Sequence, residues 1–174
     1  MVTVSGKPHD SVEEDIPTTK RFRFMFGAFD LTNGDRNFLY KNFLSNISFK
    51  HSYFNKFTEP IEVKFSFEAG LNLTSIAEYN YKETLDYSLH YAPYAQLGPE
   101  ILLLPNTFLN VNIGLIGIFH EKGEGILLFN EISMNYLFPI SERFYIDCKA
   151  GLAIPFPLYG LIGAGFFMVG ISFS

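Results

Sequence analysis

The stretch Ile61 to Leu73 alternates without a fault. Ile61, Val63, Phe65, Phe67, Ala69, Leu71 and Leu73 are apolar, while Glu62, Lys64, Ser66, Glu68, Gly70 and Asn72 are polar or glycine. Successive side chains of a strand leave on opposite faces, so this pattern makes a strand with one oily and one charged face. A helix would scatter the same residues around its circumference. The direction of the oily face separates two architectures. A soluble barrel turns it inward, and a transmembrane barrel turns it outward into lipid.

The same period recurs along the chain. Phe22, Phe24, Phe26 and Ala28 oppose Arg21, Arg23, Met25 and Gly27, and Asn33-Gly34 follows as a hairpin signal. A second strand is expected over Phe38–Lys50, with Leu39, Phe43, Ile47 and Phe49 on one face and Asn42, Asn46, Ser48 and Lys50 on the other. His51 to Pro60 reads as a polar connection. Between Thr74 and Pro105 the pattern is harder to divide. It is read as a loop and a fourth strand over Tyr91–Leu104, with a separate strand or the tall arms of one long hairpin as the alternatives for Tyr79–Tyr91. Pro93 and Pro99 lack an N–H donor, so a bulge is expected at each. Further strands are expected over Thr107–Phe119, Ile126–Phe138, Arg143–Ile154 and Leu161–Phe173, joined by Pro105-Asn106, a charged glycine loop and two proline turns.

The expected fold is therefore all-β, an eight-stranded antiparallel up-and-down transmembrane barrel over residues 21–174 with short periplasmic turns. Strands of about 10–14 residues are long enough for the roughly 9–11 needed to cross a bilayer at a tilt. Residues 1–20 read as a flexible polar leader. They lack the apolar core of a signal peptide, so the expected outer-membrane location presupposes a signal that this stretch does not supply.

Composition narrows the function classes. Charged residues are 18% of the chain, below the roughly 25% usual for soluble domains. Net charge is −5, which leaves no basic footprint for nucleic acid. The lone Cys148 can make no internal disulfide, and no zinc or phosphate-binding spacing occurs. No cofactor is expected. No apolar run is long enough for a spanning helix.

Three features favour lipid outside. The polar face carries small residues at many levels: Gly27, Ser66, Gly70, Gly98, Gly114, Ser133, Gly151 and Gly170. An eight-stranded barrel has room inside only for side chains, so small residues must sit beside long ones. That face also mixes both signs of charge. Arg21, Arg23, Lys64, Arg143 and Lys149 stand against Glu62, Glu68, Glu100, Glu131 and Asp147, as an interior charge network requires. The third feature is the terminal strand, whose outer face would carry Phe167, Val169, Ile171 and Phe173. Phe108, Ile116, Ile118, Ile162, Phe166 and Met168 make the fifth and eighth strands partly apolar on both faces, which a water-facing wall tolerates poorly.

Leu97-Gly98-Pro99-Glu100, the Pro105-Asn106 turn, Asn112 to Gly117 and the terminal strand resemble the small outer-membrane barrels of the OmpA/OmpX transmembrane type. The resemblance covers about half the chain, Tyr94 to Phe173, and Ser174 after Phe173 departs from that family's aromatic terminus by one position. Richness in Phe, Asn and Lys is similar to that of spirochaetal surface barrels. The resemblance implies a monomeric, non-enzymatic integral protein of the cell envelope. Its partners would be outer-membrane lipid and, through the extracellular loops, a host or envelope ligand, as in adhesion.

Two alternatives remain open. A soluble or periplasmic calycin-like barrel would carry a small apolar ligand, although the absence of Trp and of that family's early Gly-x-Trp motif speaks against it. The lipid A deacylase family of eight-stranded barrels uses a His, Ser and acidic triad on its outer wall. The local match here is His51-Ser52, in an expected connection and with no acidic partner assignable. His120, Glu121 and Glu124 read as solvated loop residues rather than a metal site. Asn46 and Asn72 fit the glycosylation pattern but fall in expected strands. Tyr79, Tyr81, Tyr87 and Tyr91 form the best candidate ligand-contact segment, because tyrosine offers rigid area with a polar tip. An aromatic belt is the plainer reading.

Overall fold

The computed structural model describes residues 19–31, 43–55, 63–79, 85–120, 123–156 and 164–174. They form eight strands: β1 (Thr19–Leu31), β2 (Phe43–Asn55), β3 (Val63–Tyr79), β4 (Leu85–Leu104), β5 (Thr107–His120), β6 (Gly123–Pro139), β7 (Phe144–Phe156) and β8 (Ala164–Phe173). Each pairs antiparallel with the next, and β1 pairs with β8, so the sheet closes on itself as a barrel without an edge. The seam runs from Phe22 opposite Phe173 to Leu31 opposite Ala164.

The alternation fixes which side each residue takes. Phe22, Phe24, Phe26, Phe65, Phe67, Val111, Ile113, Leu115, Ile132, Phe167, Val169 and Ile171 are all exposed on the outer wall. Arg23, Lys50, Lys64, Glu68, Glu100, Glu131, Asp147 and Lys149 are buried in the bore. A wall that shows Phe26 at 67% and Leu115 at 54% exposure beside dozens of other apolar groups suits hydrocarbon and not water. The barrel is thus inverted relative to a calycin. At the end holding both termini, aromatic rings gather outside. Phe22 lies 5.0 Å from Phe49 and 5.4 Å from Phe173, and His51 meets Tyr53 edge-on at 4.2 Å. Such rings suit the depth where hydrocarbon gives way to headgroups.

Glycine is required where β8 lies close against β1. A Cβ on Gly170 would run into the carbonyl oxygen of Phe24 across the seam. At the end holding the termini, Asn106 takes φ 64° in the two-residue turn after β4, a conformation Asn accepts more readily than most residues.

Four expectations change. β2 extends to Asn55, so His51 and Ser52 belong to a strand and not to a connection. β3 and β4 continue to Tyr79 and from Leu85, so this region is the arms of one long hairpin. β4 has 20 residues against the roughly 9–11 that a crossing needs. Neither proline makes a bulge. The β4–β5 ladder skips Ala92–Pro93 and Gly98–Pro99 and resumes in the same register, so each missing N–H costs a rung and no residue is inserted. The shift lies instead between Leu102 and Leu104. Finally, β1 begins at Thr19, so the last two residues of the expected leader are strand; residues 1–18 lie outside the described residues.

Candidate functional site

The bore is built in two halves. The half nearer the termini is filled by a continuous polar relay that takes one or more side chains from each of β1 to β7. The Lys50 ammonium lies against the Glu100 carboxylate and donates to Asn110 Oδ1 at 2.8 Å. Asn110 donates to Asn135 Oδ1 at 2.9 Å, and Asn135 donates to Asp147 Oδ1 at 2.8 Å. Arg23 bridges the two carboxylates beyond: Nε donates to Asp147 Oδ2 at 2.8 Å and Nη1 to Glu68 Oε1 at 3.1 Å. Tyr94 and Gln96 also donate to Glu68, at 2.7 and 3.1 Å. A separate pair joins Lys149 to Glu131 at 2.7 Å, with the Ser133 hydroxyl donating to the same carboxylate.

The physical reason for this density is dielectric. An ion pair in a dry bore survives only if opposite charges touch and their remaining lone pairs and protons are satisfied. Neutral amides such as Asn110 and Asn135 accept at one end and donate at the other, so they connect charges that cannot reach each other directly. Nearer the termini, Arg21 and Lys64 sit over the Phe108 ring at 5.8 and 5.2 Å, and Arg21 also lies 5.8 Å from the Tyr145 ring. These contacts shelter cations that point into the bore.

Of the ten charged residues expected inside, Arg23, Lys64, Glu68, Glu100, Glu131, Asp147 and Lys149 are buried in the bore, and Arg21 is half-buried at its end. Glu62 lies outside the described residues. Arg143 is exposed in the turn before β7 and not in the strand, and its carbonyl accepts from the Ser174 N–H at 3.0 Å. Arg143→Ala should therefore shift the unfolding free energy by no more than about 0.5 kcal/mol in a urea titration, as for other surface sites. Lys50, Tyr94, Gln96, Asn110 and Asn135 join the relay although counting charges passed over them. The available signal was parity: each shares its strand face with a charged or small residue.

The other half of the bore is a cup of about 500 Å³. Arg23, Glu68, Tyr94, Glu131 and Lys149 lie at its base, and Met25, Phe29, Ile116, Leu127, Phe129 and Met168 are among its walls. Ile116, Phe166 and Met168 thus explain part of the double-sided apolar character of β5 and β8, because their side chains line this cup.

The remaining candidates are placed as follows. His51 is on the outer wall, stacked on Phe49 and edge-on to Tyr53, while Ser52 is buried on the inner wall. Neighbours on opposite faces of one strand cannot share a proton, so His51-Ser52 is not a catalytic pair. Asn46 is buried in the bore, where it donates to Asn72 and Tyr94 at 2.7 and 3.0 Å, so it is inaccessible to a glycan. Glu124 is exposed, and the described residues include no group of three metal-ligating side chains. Tyr91 is exposed on the outer wall of β4. Tyr79 and Tyr87 lie on the paired arms of β3 and β4, and Tyr81 is outside the described residues.

The fold and bore define a closed, inside-out, eight-stranded barrel of the transmembrane class. No family model and no curated protein matches the chain. Among solved structures it is similar to Ail, the attachment invasion locus protein of Yersinia pestis, at 13% identity and TM-score 0.43, over 90% of this chain and 96% of that one. A structure of Ail in a phospholipid bilayer nanodisc gives 13% and 0.42, over 89% and 99%. The outer membrane protein OprG of Pseudomonas aeruginosa gives 8% and 0.39, over 90% and 94%. The fold described above stands on the strand pairing itself.

Proposed function

We propose that this protein is a non-enzymatic, monomeric barrel of the bacterial outer membrane that presents its loop end to a host or envelope ligand. The observation carrying this reading is the inverted wall: apolar groups outside at every level, and charges tied together within. The long β3–β4 hairpin supports the second part. Its arms exceed a crossing length, so their ends, with Tyr79 on β3 and Tyr87 on β4, extend beyond the lipid. The relay of Arg23, Glu68 and Asp147 serves as a plug rather than an ion path.

Cells expressing the protein with an export signal should hold it in the outer-membrane fraction. Its band should run faster on SDS gels before boiling than after, the mark of a barrel that resists detergent. External protease should cut only near the loop end, and planar bilayers should show no steady conductance. Recovery in the soluble fraction without detergent would remove this reading. For ligand display, the cells should adhere to an extracellular-matrix extract, and alanine at both Tyr81 and Tyr91 should at least halve adhesion.

A further inference from the structure

We infer that the cup is a binding site for a small molecule with an apolar body and a hydrogen-bond acceptor, such as a carbonyl or carboxylate, at one end. This rests on the barrel geometry and not on the surface-display reading.

Three observations converge. The first is shape and size: about 500 Å³ falls within the roughly 300–1,000 Å³ usual for small-molecule pockets. The second is polarity. The walls are mostly aliphatic, aromatic and thioether groups, with Asn46, Asn72, Thr74 and His90 as the polar exceptions, whereas the half below is filled by polar and charged groups. A purely structural filling of the bore has no need of this change. Water gains little from such a wall, whereas an alkyl chain gains from leaving water. The third observation points to the ligand's polar end. Arg23 is 1% exposed and lies at the base of the cup. Its Nε and Nη1 are spent on Asp147 and Glu68, but Nη2 has no hydrogen-bond partner. A buried guanidinium donor left unpaired is costly; Nη2 itself exposes almost no surface, so an acceptor entering the cup would satisfy it as the guanidinium tilts toward the cup. The charged residues at the base, Arg23, Glu68, Glu131 and Lys149, already balance in sign. The base therefore calls for an acceptor and does not demand a full negative charge.

The chain contains no tryptophan, so a single introduced one reports its own surroundings. Phe166 lines the cup, and Phe167, its neighbour on the outer wall, is 56% exposed at almost the same depth. Phe166→Trp and Phe167→Trp, each in the full chain in phospholipid vesicles, would be titrated with 10-bromodecanoic acid, a quencher on contact. Quenching of the inner reporter should saturate, with a midpoint about tenfold below that of the outer one. Its methyl ester should also bind, and the relative midpoints show whether a carboxylate or a neutral carbonyl is preferred. 1-Bromodecane, which has no acceptor, should be several-fold weaker. Ala153 lines the cup on β7, opposite Glu131 and outside the Arg23–Glu68–Asp147 relay, so Ala153→Phe in the inner-reporter background narrows the cup and should abolish saturation. Arg23→Lys keeps the charge but loses the spare donor and should weaken the acid and ester without affecting bromodecane. Heat-modifiable mobility confirms closure of each variant. Equal quenching of both reporters would show simple partition into the bilayer and overturn the proposal. So would equal midpoints for acid, ester and bromodecane, or an unchanged midpoint in Ala153→Phe.

Discussion

Arg23→Ala should be the most damaging single truncation in the bore, lowering the unfolding free energy in lipid by about 3–5 kcal/mol. The residue is 1% exposed and holds two carboxylates from opposite sides of the barrel, Asp147 at 2.8 Å and Glu68 at 3.1 Å. Its removal leaves both acids without their cation in a medium that solvates them poorly. The loss would be larger than any single hydrogen bond explains, because the cost comes from the groups left behind. Glu68→Ala should destabilise less, since Arg23 keeps Asp147. The double variant Arg23→Ala/Glu68→Ala should fall short of the sum of the two, because the second change removes a charge that the first had stranded. Urea unfolding of vesicle-embedded protein, followed by gel mobility, measures all three. An Arg23→Ala effect under about 1 kcal/mol would mean that water reaches the relay and screens it.

The second large effect concerns the outer wall. Ile113→Arg should cost about 2–4 kcal/mol, the range for arginine on the lipid face near the bilayer midplane. Ile113 is 46% exposed and sits mid-strand on β5, paired with Leu97 and Asn130. At the strand's end the same change should cost much less, because arginine can reach the headgroups. Leu104→Arg, at a residue 65% exposed beside the Pro105-Asn106 turn, should lie near 0–1 kcal/mol. The contrast between these positions is the informative quantity. If the wall faced water, both substitutions would be nearly silent and the protein would need no detergent.

Much of the barrel is legible in one dimension. Period-two alternation identifies a strand and sorts its residues onto two faces, whatever the strand packs against. Phe22, Phe24 and Phe26 could share a face only in a strand, and they do. The mixture of small and doubly signed charged residues opposite them then indicates that the polar face is the crowded one. Errors arose where alternation is interrupted or where a neighbour determines the outcome. Pro93 and Pro99 signalled bulges because a lone strand cannot show which partner must do without the N–H. His51 looked like loop because imidazole is polar, yet on the outer wall it stacks on Phe49 and edges against Tyr53. Arg143 missed the bore by one residue, since β7 begins at Phe144.

The sequence by itself determined most of the strands and the sorting of their residues onto two faces, because these depend on residues two apart in one segment; it favoured the inverted polarity, and the exposed apolar wall of the closed barrel decided it. Only the tertiary structure decided which charges meet. Arg23 and Asp147 are 124 residues apart, and their contact exists because β1 and β7 both flank β8 in a closed sheet. The split of the bore into an ionic plug and an apolar cup was likewise settled by register, which stacks Met25, Phe129 and Met168 on the far side of Arg23 from Asn110 and Asn135. A face assignment states that a side chain points inward; closure and stagger set the height at which it arrives and what it finds there.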